Sequence, residues 1–137
     1  MKTLQAFRVG DTFALARTCE RYTPVYYAAV SGDFNPIHID PEIGRLAGQP
    51  GAILQGMCTM AWLADACVGY FDDPGRIAAL SCRFARPVNV GDTVTFEGRC
   101  VGVDGRRVRV EVRATNQRGE EVLKSAAAEA VVEEERP

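Results

Sequence analysis

The run from Leu54 to Phe71 carries one charge, Asp65, and is otherwise apolar or small apart from Gln55, Thr59 and Tyr70. It opens on Gln55-Gly56-Met57 and is stopped by Asp72-Asp73-Pro74-Gly75, so it predicts one helix over 56–71. Such a helix is apolar on every face and is expected to be buried all round. The remainder of the chain must then supply a surface that encloses it.

That surface is written after Gly75, where the period changes from helical to two. In Arg107–Ala114 the residues Val108, Val110, Val112 and Ala114 alternate with Arg107, Arg109, Glu111 and Arg113, the pattern of a strand with one wet face. Asp104-Gly105 predicts a hairpin back to a strand over Thr93–Val103, and Asn116-Gln117-Arg118-Gly119 a turn into Glu121–Val132. With Ile77–Phe84 these give four consecutive antiparallel strands. Upstream, Phe13–Glu20 reads as an early strand after the turn Val9-Gly10-Asp11-Thr12, and the same tetrapeptide returns as Val90-Gly91-Asp92-Thr93 before a later strand, a repeated turn device. Thr23 as cap and Pro24 at the first position start a helix through Val30 that ends at Ser31-Gly32, and Asp40 caps a short helix from Pro41 through Leu46 that closes at Gly48. The expected architecture is α+β: one antiparallel sheet, from an early strand plus a late meander, curved around a single long apolar helix. With 137 residues, 47% of them hydrophobic, one domain over 1–137 is expected.

Charge and composition exclude several function classes. A formal charge of -2 with scattered arginines argues against nucleic acid as a partner. Met1–Gly10 lacks an apolar core segment, and Asp65 and Gly69 interrupt the one long apolar run, so neither a signal peptide nor a membrane span is expected and a cytoplasmic location is. The five cysteines, at 19, 58, 67, 82 and 100, form no close pair, which fits reduced thiols in the core. One histidine offers too few ligands for a metal site, and no cofactor is expected.

The chemistry concentrates in Ser31–Asp40, a stretch too rich in turn formers to be a helix, which carries Asp33 and the lone histidine His38 on either side of Pro36. Singly, such an aspartate is more often a turn residue and such a histidine structural. Together, upstream of a helix that begins Gly56-Met57, they can supply an acid/base pair, with the first N–H groups of that helix as natural donors. Asn35 is expected to orient the loop by an Asx turn, and Pro36 to fix the bend. Cys58, near the helix start, is read as a buried spectator.

Gly32-Asp33-Phe34-Asn35-Pro36-Ile37-His38, then Ile53-Leu54-Gln55-Gly56-Met57, then Arg86-Pro87-Val88 with Val90-Gly91-Asp92, resembles the MaoC-like dehydratases, or (R)-specific enoyl-thioester hydratases, over nearly the whole chain. Ile43–Gly48 is similar to the small dehydratase subunits of actinobacterial fatty-acid and mycolic-acid elongation. The resemblance implies a hot-dog fold, a homodimer or a heterodimer with a related chain, and reversible hydration of a 2-enoyl thioester to an (R)-3-hydroxyacyl thioester carried by coenzyme A or an acyl carrier protein. It implies that Asp33 and His38 are the catalytic pair acting through one water gripped between them, and that the backbone N–H groups of Gly56 and Met57 are the oxyanion donors. Asn35, Pro36 and Gln55 are then site support, and Arg83 and Arg86 candidate contacts for the phosphates or the acidic carrier. Gln55 stands where many relatives have histidine, and Ala61 and Ala64 stand where some have a hydroxyl. Two further readings are a hot-dog thioester hydrolase using Asp65, whose competing reading is a buried carboxylate paired with an arginine, and a subunit of a heterodimeric dehydratase. Fatty-acid, polyketide and β-oxidation pathways remain open.

Overall fold

Five strands and three helices follow one another in a computed structural model that describes residues 1–133. They are β1 (Thr12–Thr18), α1 (Thr23–Ser31), α2 (Pro41–Leu46), α3 (Gly56–Phe71), β2 (Ile77–Phe84), β3 (Thr93–Asp104), β4 (Arg107–Thr115) and β5 (Glu121–Val131). The strands form one antiparallel sheet in the order β1-β3-β4-β5-β2, and α3 packs against all five. Helix α3 has the bounds that the sequence predicts, and Asp72, in the left-handed region, closes it by donating its N–H to the Val68 carbonyl. The core joins Leu63, Cys67 and Phe71 of α3 to the inward side chains Val94, Phe96, Val108, Val110 and Leu123 of the sheet. Each fully buried Leu, Val or Phe contributes about 2 kcal/mol by leaving water.

Several expectations need correction. Helix α3 is not buried all round: Met57, Ala61, Asp65 and Gly69 form an exposed stripe at four-residue spacing, while Cys58, Leu63, Ala66, Cys67, Tyr70 and Phe71 face the sheet. Most of that stripe is small or charged, which is why the sheet can leave it open. Strand β2 does not open the meander; it pairs with the far side of β5, so only β3, β4 and β5 run as consecutive neighbours. Thr23 is the first residue of α1 rather than its cap, and Tyr22 precedes it with no side-chain cap bond. The β3–β4 turn consists of Gly105 and Arg106, closed by Asp104 opposite Arg107, because the positive φ of 53° falls on Gly105 as the first loop residue.

The echoed tetrapeptide builds the same turn twice. Asp11 and Asp92 each accept the N–H three residues back through a carboxylate oxygen, from Arg8 at 2.9 Å and from Asn89 at 3.0 Å. Gly10 and Gly91 supply φ of 98° and 94°. The two turns cap opposite ends of the β1–β3 ladder by matching bonds: the Gly10 N–H donates to the Cys100 carbonyl and the Gly91 N–H to that of Cys19. Cys19, Cys58, Cys67 and Cys100 are buried and Cys82 is half-buried, all as free thiols. Among the described residues, no helix is long and apolar enough to cross a membrane.

Candidate active site

The segment that joins α1 to α2 is folded by a chain of local hydrogen bonds and fastened by longer-range ones. Gly32, at φ 77°, ends α1 by donating its N–H to the Ala28 carbonyl. Ser31 donates its hydroxyl to the Tyr27 carbonyl and accepts the Asp33 N–H. Asn35 makes the expected Asx turn, its Oδ1 accepting the Ile37 N–H at 3.2 Å. Pro36, Ile37 and His38 form one turn of 3-10 helix, a local order that the turn-rich composition did not predict. All peptide bonds here are trans.

The result is that Asp33 and His38 converge. Asp33 Oδ1 accepts the Asn35 N–H at 3.3 Å, which leaves Oδ2 facing His38 Nε2 at 3.5 Å. Asp33 is therefore both the turn residue and a member of the pair. On the other side of the ring, His38 Nδ1 lies 2.8 Å from the Ile53 carbonyl. A carbonyl can only accept, so Nδ1 carries the hydrogen and Nε2 is the free nitrogen of the neutral ring. The 3.5 Å separation leaves no room for a water in line between the two groups. A water touching both must sit at the apex of a triangle with the pair as its base, not gripped from opposite sides.

His38 is 12% exposed and looks into a cavity of about 320 Å³, whose walls include Gly56, Thr59, Phe84, Arg86 and Leu123. Asp33, 48% exposed, does not line it. Gly56 and Met57 open α3, so their N–H groups have no carbonyl four residues back to receive them. A Cβ at Gly56 would stand 3.3 Å from the Phe84 ring, so the glycine keeps the helix tip open to the cavity. Gln55 is 1% exposed and donates Nε2 to the Pro24 carbonyl at 2.8 Å and to that of Asp33 at 3.4 Å. One amide thus ties the start of α1 and the acidic loop to the helix tip, at the expense of a buried Oε1 without a partner.

Arg86 is brought to the cavity and Arg83 is not; Arg83 lies exposed on β2, opposite Lys124 of β5. Asp65 sits on the exposed stripe of α3 with Arg17 at 3.6 Å, so the expected arginine is present but the carboxylate is not buried. Burial pushes the Cys58 thiol up to about 11, with the charge of Asp65 adding to the effect, so its place near the helix start does not activate it. Among the described residues no three His, Cys, Asp or Glu side chains group as metal ligands would. Sequence reasoning missed Thr59 and Phe84 in the cavity wall, and a second cavity of about 420 Å³ behind His38, lined by Tyr22, Pro41 and Val90 among others. The spacing of Thr59 from Gly56, one helical turn, was the available signal for the first of these.

A family model described as MaoC like domain matches residues 8–122. The chain is 35% identical over 113 residues to the peroxisomal enoyl-CoA hydratase 2 of Arabidopsis thaliana, covering 77% of this chain and 34% of that protein. It superposes on the unliganded R-hydratase PhaJ1 of Pseudomonas aeruginosa with a TM-score of 0.88 and 29% identity, over 97% of this chain and 86% of that one. For the (R)-hydratase of A. caviae involved in PHA biosynthesis the TM-score is 0.82 at 26% identity, over 96% and 99%. The chain spans between 13% and 34% of the length of the first curated relatives it matches. The hot-dog architecture expected from the sequence is the one found, with the strand order corrected as above.

Proposed function

The chain belongs to the MaoC-like dehydratase family, and we propose that it is a hydro-lyase catalysing the reversible addition of water to a trans-2-enoyl thioester, giving the (R)-3-hydroxyacyl thioester. The observation that carries this reading is the convergence of Asp33 Oδ2 and His38 Nε2 at 3.5 Å, beside a cavity that opens on the first residue of α3. His38, held by Ile53 as the Nδ1–H tautomer, offers Nε2 to take a proton from water while the water oxygen bonds to the β-carbon. Asp33 shares that water and orients it. The electron pair of the double bond moves toward the thioester oxygen, where the N–H groups of Gly56 and Met57 and the positive end of the α3 dipole receive the charge. The pair then returns a proton to the α-carbon from the same face, so the addition is syn and the enzyme ends in its starting protonation state.

Asn35, Pro36 and Gln55 support this arrangement by shaping the loop and fastening it to the helix tip. Arg86, at the cavity wall, is the candidate contact for the phosphates of coenzyme A or for an acidic carrier protein; Arg83 drops out of that role by position. Two features favour a dimer: β2 is a free edge of the sheet, and the stripe of Met57, Ala61, Asp65 and Gly69 is uncovered in the single chain. A hydrolase built on Asp65 gains no support, since that carboxylate faces Arg17 outside the cavity.

The test is the purified protein against a chain-length series of enoyl and 3-hydroxyacyl thioesters, on coenzyme A and on acyl carrier protein, followed at the enoyl absorbance. Loss of that absorbance without release of free thiol is expected. Thiol release, or no turnover of any thioester in the series, overturns the reading.

A further inference from the structure

The cavity contains one polar side chain that the scheme above does not use. Thr59 lies on α3 one turn beyond Gly56, is 3% exposed, and lines the cavity with His38 and Gly56. A helical threonine commonly turns its hydroxyl back onto the carbonyl four residues earlier. Here that carbonyl, of Gln55, already accepts the N–H groups of Cys58 at 3.0 Å and Thr59 at 3.3 Å. Among the described residues, the side-chain polar atoms sealed from solvent without a partner are Gln55 Oε1 and Asn89 Oδ1. Among the described residues the Thr59 hydroxyl has no hydrogen-bond partner and is not one of these sealed atoms, which leaves it open to the cavity it lines.

Side chains on a helix lean toward its N-terminus, so that of Thr59 covers the turn that starts at Gly56. Gly56 puts no side chain of its own there, and the Phe84 ring bounds the same space from the β2 side. We propose that Thr59 is a further catalytic residue of the hydration inferred above, on which this step rests: its hydroxyl is a third hydrogen-bond donor to the thioester oxygen, beside the N–H groups of Gly56 and Met57. As the water oxygen bonds to the β-carbon and the carbon–carbon π pair shifts, negative charge collects on the thioester oxygen. The Thr59 O–H donates to it without giving up its proton. When the carbonyl re-forms, the α-carbon takes its proton from the Asp33–His38 pair. A donor that meets its acceptor at full strength only when the charge has developed lowers the barrier and leaves ground-state binding almost unchanged.

The test uses three variants of the full chain with a short enoyl-CoA. T59V keeps the volume and removes the hydroxyl; T59S keeps the hydroxyl and removes the methyl; T59A removes both. The expected result is a kcat about 10²-fold lower for T59V and T59A, the usual loss of one oxyanion donor, with KM changed by less than about 3-fold and T59S close to wild type. Wild-type kcat in T59V, or T59S as slow as T59A, overturns the proposal. If T59V fails to fold, the T59S–T59A pair decides alone, since both lack the methyl. A wild-type protein that turns over no thioester overturns the hydratase reading itself, whereas an active wild type with an unimpaired T59V overturns only the role of Thr59.

Discussion

Two carboxylates in this molecule are built alike and end differently. Asp33 and Asp92 each sit on a glycine-containing turn, each gives one oxygen to a nearby backbone N–H, and each faces a basic side chain, His38 at 3.5 Å or Arg118 at 3.0 Å. Asp92 is 5% exposed and filled: Oδ1 accepts from Gln117 and Arg118, and Oδ2 from the Asn89 N–H and again from Arg118. A carboxylate offers about four lone-pair positions, and at Asp92 all are taken. Asp33 is 48% exposed, and among the described residues only the Asn35 N–H and His38 meet its carboxylate. The carboxylate with capacity left over is the one we propose holds a water. The saturated one serves the fold, and a strong ionic setting is no guide to chemistry.

The comparison breaks first at Asp33. Replacing it as Asp33→Asn, or its partner as His38→Ala, should lower turnover of an enoyl thioester by about 10³-fold, within the range that acid–base groups supply. The melting temperature of Asp33→Asn should move by less than about 2 °C, because that side chain is half exposed, whereas His38→Ala also gives up a mostly buried ring and its bond to the Ile53 carbonyl and should lower it further. A variant retaining a tenth of wild-type activity removes that residue from the chemistry. Gross unfolding would instead place Asp33 in the class of Asp92.

The next effect is inverted. Burial alone would raise the Asp92 carboxyl, but the hydrogen bonds from Arg118, the Asn89 N–H and Gln117 outweigh it and hold it below the usual carboxylate range. Its folded value is thus depressed, so its stabilisation is complete above the ordinary aspartate value of about 3.9 and is lost as pH falls through the folded value. Asp92→Asn should cost about 2–3 kcal/mol at neutral pH in a urea titration and leave kcat per folded molecule unchanged. The gap between wild type and variant should begin to narrow as the titration is repeated below about pH 3.9. A gap of constant size would mean that shape, not charge, is what Asp92 provides.

How much of this was legible in the sequence follows from the range of each signal. Helix α3 and helix α2 were readable to the residue because their stops and caps, Asp72-Asp73-Pro74-Gly75 and Asp40-Pro41, are local. The Asp33–His38 pair was readable because the turn that joins them is local too. The side of the sheet that takes β2 was not, since period two marks a strand without naming its neighbour, and the pairing of Ser81 with Ala127 spans the whole meander. Arg118 lies 26 residues beyond Asp92, so the sequence marked Asp92 as a turn residue and concealed its partner. The cavity was hidden for the same reason: His38, Thr59, Phe84 and Leu123 come from four separate elements.

The smallest effect separates turn from network. Asp11 occupies the same position in the same tetrapeptide as Asp92, with the same N–H bond at Arg8 and the same glycine geometry, yet its remaining partner is the Tyr70 hydroxyl at 3.1 Å rather than an arginine. Asp11→Asn keeps an acceptor oxygen for the turn and gives up only the charge, so it should cost about 0.5–1 kcal/mol, the scale of one ordinary hydrogen bond. Measured beside Asp92→Asn in the same urea series, the difference between the two isolates what Arg118 and Gln117 add to a turn that both sites share. Equal losses would show that the turn itself demands a carboxylate, and the contrast drawn between Asp33 and Asp92 would then rest on burial alone.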